Sequence, residues 1–194
     1  MKLSFVPCRT VLCGLLLFRV LGHTAVAAEP TALSLIKEAN RYVGEQARDK
    51  LVEIRSEKSI GSLTPNVWYV VLYDPDATFK AAEVKFGAGQ KMNVKRPVRA
   101  LEYLNADKLI DQKKLKVDSD QAIKTATAQP LLEHLKLDAT QLWLERGDDA
   151  PQWRVRLWAL KLRNPKEDAD IGEVTISAET GKVLKTDLHI GRVD

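Results

Sequence analysis

After Pro30, apolar residues recur at every third or fourth position, at Leu33, Ile36, Ala39, Tyr42/Val43, Ala47 and Leu51, with Lys37, Glu38, Arg41, Glu45, Arg48 and Asp49 between them. That spacing predicts an amphipathic helix whose apolar stripe needs a partner surface. Gly61 and Pro65 break the chain before Trp68-Tyr69-Val70-Val71-Leu72-Tyr73, a strand by composition. Asp74-Pro75-Asp76 predicts a turn, and Phe79 to Phe86 a partly alternating second strand. Gly87 and Gly89 then precede a third short strand, Gln90 to Val94.

The order repeats in the second half. Asp118 is placed to cap a helix, with Gln121 three residues on as the reciprocal partner and Ala122, Ile123 and Ala126 opening its buried face. Pro130 removes a backbone donor and clashes with the preceding turn, so the helix restarts there and carries its apolar face on through Leu131, Leu132 and Leu135. Strands follow at Thr140 to Glu145, Trp153 to Leu162 and Ile171 to Ser177. The last returns through Glu179-Thr180-Gly181 into Lys182-Val183-Leu184-Lys185, where the glycine supplies the positive φ of a bulged hairpin. The halves align as Trp68 with Trp153, Glu83-Val84-Lys85-Phe86 with Glu173-Val174-Thr175-Ile176, and Gly89-Gln90-Lys91-Met92 with Gly181-Lys182-Val183-Leu184.

A helix followed by an antiparallel meander, twice, predicts an α+β fold of two repeated modules, in each of which one sheet face buries the helix stripe. Each half alone spans roughly 60 to 80 residues, a size at which a core is marginal, so the two are expected to pack against each other. The expected boundaries are 29–94 and 118–194 for the modules and 95–117 for a charged connector, with a short helix around Arg99 to Asn105.

Three segments of the second half resemble the PepSY domain: the helix start Asp118-Ser119-Asp120-Gln121-Ala122-Ile123, the strand Trp153-Arg154-Val155-Arg156-Leu157, and the closing hairpin Gly172-Glu173-Val174-Thr175-Ile176-Ser177-Ala178-Glu179-Thr180-Gly181-Lys182-Val183-Leu184. The first half looks like a degenerate second copy, so the resemblance covers most of the chain after residue 28. It implies a secreted or cell-envelope module, of a kind found in metallopeptidase propeptides and proposed to restrain peptidases. The family brings no shared catalytic residues.

The opening 28 residues read differently. A basic start, an apolar run from Val11 to Phe18 and small residues at Ala25-Val26-Ala27-Ala28 predict a secretory signal peptide cut near Ala27 or Ala28. The alternative is a retained membrane anchor, although Arg19 interrupts the apolar run well short of a bilayer span. Both cysteines, Cys8 and Cys13, lie in this segment, so the exported chain would hold neither a thiol nor a disulfide. The formal charge of +4 changes meaning in the same way. Removing the segment takes three of the 30 basic residues and none of the 26 acidic ones, leaving 27 against 26, which with export argues against a nucleic-acid partner.

Candidate chemistry is sparse. Neither a His-Glu-x-x-His, a Gly-x-Ser-x-Gly elbow nor a phosphate-binding glycine loop occurs. A histidine metal site would have to bring His134 and His189 together with carboxylates. The acidic pairs Asp74/Asp76 and Asp148/Asp149, and the trio Glu167, Asp168 and Asp170, read as solvated loops, and no cofactor or metal is expected.

The alternating strand Trp153-Arg154-Val155-Arg156-Leu157-Trp158 is more informative. Trp153, Val155, Leu157 and Ala159 share one face, leaving Arg154, Arg156 and Trp158 on the other, with Trp143 in the same exposed phase. Two readings fit that second face: a contact with the other repeat, or a surface that stacks on a peptide or polysaccharide. The candidate binding residues are therefore Trp143, Arg154, Arg156 and Trp158. The expectation is an exported, periplasmic or extracellular, non-enzymatic binding or regulatory protein that recognises a peptidase, another envelope protein or an extended peptide. The alternatives are an exported enzyme with a carboxylate-lined cleft and a structural envelope component.

Overall fold

A computed structural model describes residues 30–95 and 108–194 of the chain. Helix α1 (Ala32–Ala39) is followed by strands β1 (Leu51–Ser56), β2 (Val67–Tyr73), β3 (Ala81–Gly87) and β4 (Gln90–Lys95). Helix α2 (Ser119–Thr127) precedes β5 (Leu137–Arg146), β6 (Pro151–Leu160), β7 (Asp168–Ser177) and β8 (Val183–Leu188). The expected short helix around Arg99 to Asn105 lies outside the described residues.

All neighbouring strands run antiparallel, and they form one eight-stranded sheet in the order β4-β3-β2-β1-β5-β6-β7-β8. This corrects the expectation of two separate meanders packed on each other. The reason is β1, Leu51-Val52-Glu53-Ile54-Arg55-Ser56, which begins at the last residue of the apolar stripe that predicts a helix. That helix ends at Ala39. The chain turns, makes one 3₁₀ turn at Glu45–Ala47, and passes through Asp49 at φ 59°. Asn40 holds that turn by exchanging hydrogen bonds with Asp49, at 2.7 and 3.1 Å. Ala47 and Leu51 are fully buried, as a helical stripe would require, but from a turn and a strand.

The first meander thus gains a fourth strand, and that strand meets β5 at the register Ile54↔Leu144 and Arg55↔Trp143. Buried serines extend this seam. Ser56 Oγ accepts from Leu142 N at 2.9 Å, Ser59 Oγ accepts from Thr140 N at 2.9 Å, and Ser59 N donates to Thr140 O at 2.8 Å. Buried polar groups are tolerated where each has such a partner.

Both helices pack on one face of the sheet, α1 over β1 and β2 and α2 over β5, β6 and β7, around a single core. Trp68 and Trp153 are both buried there. Each indole Nε1 donates to the carbonyl of an incoming segment, Pro65 O at 3.0 Å and Val117 O at 2.9 Å. The expected cap of α2 is present: Asp118 accepts from Ser119 N at 2.7 Å, and the reciprocal bond from Asp118 N to Gln121 Oε1 is 3.3 Å. The restart at Pro130 is one 3₁₀ turn, Pro130–Leu132. Gly181 lies at φ 74° with a register shift between Thr175 and Ile176, and Gly89 at φ 75° with the matching shift between Lys85 and Phe86. Each meander therefore closes through a positive-φ glycine and carries a bulge in its last strand, although the turn is Ala88-Gly89 in the first and Ala178 to Lys182 in the second.

Candidate functional site

Strand alternation decides which side chains face away from the helices. On β6, Trp153, Val155, Leu157 and Ala159 are fully buried under α2, so Arg154, Arg156 and Trp158 project from the helix-free face. On β5, Leu142 and Leu144 are buried and Trp143 shares the phase of Arg154, its direct cross-strand partner. The four sequence-derived residues therefore occupy one face, in a row along β5 and β6. The register adds Arg55, opposite Trp143 on β1, and Tyr69, opposite Arg55 on β2.

Ring and cation alternate across this surface. The Arg154 guanidinium lies 5.2 Å from the Trp143 ring centre, and Arg156 lies 5.7 Å from that of Trp158, whose ring also takes the Lys58 ammonium at 4.9 Å. In the first half, Arg55 and Lys85 each approach the Tyr69 ring at 4.9 Å. Such contacts place the cations over aromatic rings.

Every one of these cations also has a carboxylate. Arg55 pairs with Glu53 at 3.0 Å and Glu83 at 2.5 Å, and Lys85 with Glu57 at 3.0 Å. Arg154 lies 2.9 Å from Glu145 and 3.7 Å from Glu173, although its Nε–H makes no aligned hydrogen bond. Arg156 grips Asp170, and Lys58 grips Asp168. Burial works against the charge on Arg55, but its hydrogen bond to Glu53 and the fields of Glu53 and Glu83 win and raise its pKa above the ordinary value. Burial likewise tends to raise the Asp170 pKa, but the Arg156 hydrogen bond and the Gly172 N–H outweigh it and hold the carboxyl below its usual range. Glu57 is lowered by the Tyr69 hydroxyl and Lys85, both of which donate to it. The face is thus charge-compensated and pre-ordered.

At the seam this surface opens into a pocket of about 790 Å³ lined by Glu53, Arg55, Trp143, Glu145, Asp148 and Arg154, among others. It takes in Trp143 and Arg154; Arg156 and Trp158 lie further along β6, outside it. On the other side of the seam, Leu109 packs on a small apolar patch of Val52, Val71, Ala81 and Tyr73, and Ile110 N donates to Leu51 O at 2.8 Å. Leu109 thus covers part of the first half of the face, and Lys108 reaches the pocket beside Trp143 and Arg154.

The remaining sequence candidates do not assemble. Asp74 is buried in its turn, where it accepts from Asp76 N at 3.0 Å, rather than solvated. Glu167 pairs with Lys161 at 2.7 Å, and Asp168 and Asp170 are taken by the cations already named. His134 is exposed, and His189 Nε2 lies 3.2 Å from Asp187 Oδ1. Among the described residues no group of three or more His, Cys, Asp or Glu is placed to hold a metal ion, and no helix is long and apolar enough to cross a membrane.

Sequence reasoning missed Arg55, Tyr69 and Lys85. The signal for Arg55 is the alternation Glu53-Ile54-Arg55, readable once β1 is recognised as a strand; Tyr69 and Lys85 lie on strands the sequence does predict, and it is the seam between β1 and β5 that brings them to the same face as Trp143. Comparison of the chain with family models, with curated proteins and with solved structures returns no match.

Proposed function

We propose that this chain is an exported, non-enzymatic binding protein built from two PepSY-like modules, 29–94 and 118–194, whose helix-free sheet face recognises an extended segment of a peptidase or other envelope protein. The supporting observation is the row Trp143, Arg154, Arg156 and Trp158, continued across the seam by Arg55 and Tyr69. Trp, Tyr and Arg are the residues that dominate interface energetics, and cations already clamped by carboxylates lose little further freedom on binding. Because the face is charge-compensated, recognition rests on stacking and directional hydrogen bonds rather than on net charge. The repeated element order and the matching bulges after Gly89 and Gly181 support the tandem reading.

The exported-enzyme alternative has the pocket carboxylates Glu53, Glu145 and Asp148 in its favour, but Glu53 and Glu145 each pair with an arginine and neither His134 nor His189 lines the pocket. The test is affinity capture on the immobilised chain, as its own cells process it, from envelope and secreted fractions. A partner retained by the wild type and lost by Arg156→Ala and Trp158→Ala, at an unchanged melting temperature, is the expected result. Unchanged capture with a collapsed melting temperature would assign the row to fold stability and overturn the reading.

A further inference from the structure

The two outer strands of the sheet offer a neighbour different things. β4 is exposed along its length and β8 from Val183 to Asp187, and the helices pack mainly on the inner strands. On β4, Lys91 and Lys95 supply the like charges by which sheet edges resist pairing. β8 lacks this protection, and its sequence is self-complementary. The register Val174↔Thr186, Thr175↔Lys185 and Glu173↔Asp187 turns Lys185 and Asp187 to the helix-free face. Thr186 and Leu188 turn to the other, and Leu184, at the bulge opposite the Thr175–Ile176 step, is 58% exposed.

Backbone phase is set by His189, whose N–H donates to Ile171 O at 2.7 Å. Alternation along the regular part of the ladder then gives Lys185 and Asp187 their backbone bonds to β7 and directs the N–H and C=O groups of Thr186 and Leu188 outward from the sheet, up to the bulge at Leu184.

We propose that β8 is a self-association edge, with two copies of the chain pairing β8 to β8 antiparallel about Thr186 into one continuous sheet. In that register Thr186 faces Thr186 of the second copy, Leu184 faces Leu188, and Lys185 faces Asp187, each of the last two pairs occurring twice. The outward backbone groups of the two Thr186 residues coincide. Sliding by two residues one way sets Lys185 on Lys185, and the other way Asp187 on Asp187, so charge selects a single register. The contact is isologous and closes as a dimer, whereas β4 on β8 would propagate a filament. It also puts both helix-free faces on the same side, so the dimer presents two copies of the surface described above.

The test is sedimentation velocity of the chain, as its cells process it, from about 1 to 500 μM. A concentration-dependent monomer–dimer equilibrium is expected. Lys185→Asp alone and Asp187→Lys alone each place like charges opposite one another and weaken the dimer at least about tenfold, and the two together restore it to within about threefold. Thr186→Pro removes an outward N–H and abolishes dimerisation without touching the β7 ladder, with an unchanged far-UV circular dichroism spectrum as the check. A monomer at every concentration, including the case in which the edge accepts only a foreign extended peptide, overturns the proposal. So does a dimer indifferent to all of these substitutions.

Discussion

The N-termini of the two helices meet on one residue pair, and this gives the sharpest stability prediction. Asp118 caps its own helix, and its Oδ1 also accepts from Leu33 N of α1 at 3.0 Å, while Ser119 Oγ accepts from Ala32 N at 3.1 Å. Thr31, the formal cap of α1, makes no side-chain cap bond. One carboxylate therefore serves free donors of two helices and sits at the positive end of both dipoles. A lone N-cap is worth about 1 kcal/mol, and a charge at a helix N-terminus about 0.3–1 kcal/mol. Counted for two helices, Asp118→Ala should cost about 3 kcal/mol. Asp118→Asn keeps the acceptor and loses the charge, so it should cost about 1 kcal/mol, and Thr31→Ala less than about 0.5 kcal/mol. Equilibrium urea unfolding, followed in parallel by tryptophan fluorescence and far-UV circular dichroism, measures all three. An Asp118→Ala loss no larger than that of one cap, about 1 kcal/mol, would show that the carboxylate does not support α1 and would refute the shared-cap argument.

Other substitutions probe different parts of the structure. Gly172 sits at φ 104° where a Cβ would collide with the Asp187 carbonyl oxygen, so Gly172→Ala should cost at least about 2 kcal/mol and speed amide exchange in β8. Trp153→Phe leaves a void and strands the Val117 carbonyl, for a loss of about 2–3 kcal/mol in urea unfolding; Trp158→Phe on the open face should cost less than about 1 kcal/mol. Because Asp170 has a folded pKa below its unfolded one, near about 3.9, its contribution is complete above that pH and disappears as pH falls through the lower folded value. Asp170→Asn should therefore reduce urea resistance at pH 6 and flatten its decline as the pH falls below the ordinary carboxylate range; a variant with the wild-type acid profile would contradict the assignment.

Where the chain's information is local, the sequence by itself determined the outcome. The capping box from Asp118 to Gln121 spans four residues, the turn at Gly181 needs one positive φ, and the alternation from Trp153 to Ala159 names the buried and open faces of β6. Each is decided by covalent geometry and burial within one element. β1 was not legible because Ala39, Ala47 and Leu51 fall eight and four residues apart, which satisfies a helical stripe, while its own alternation is only six residues long. Two decisions followed from that strand. The seam set Arg55 against Trp143 and made one sheet of eight strands, and the shared face brought Arg55 and Tyr69 to the row that Trp143, Arg154, Arg156 and Trp158 begin. Only the tertiary structure could decide these, as it did the reach of Asp118 to Leu33 across 85 positions. Long-range pairing depends on which backbone edges and helix ends remain unsatisfied once every local element has formed, and no short window of sequence contains that.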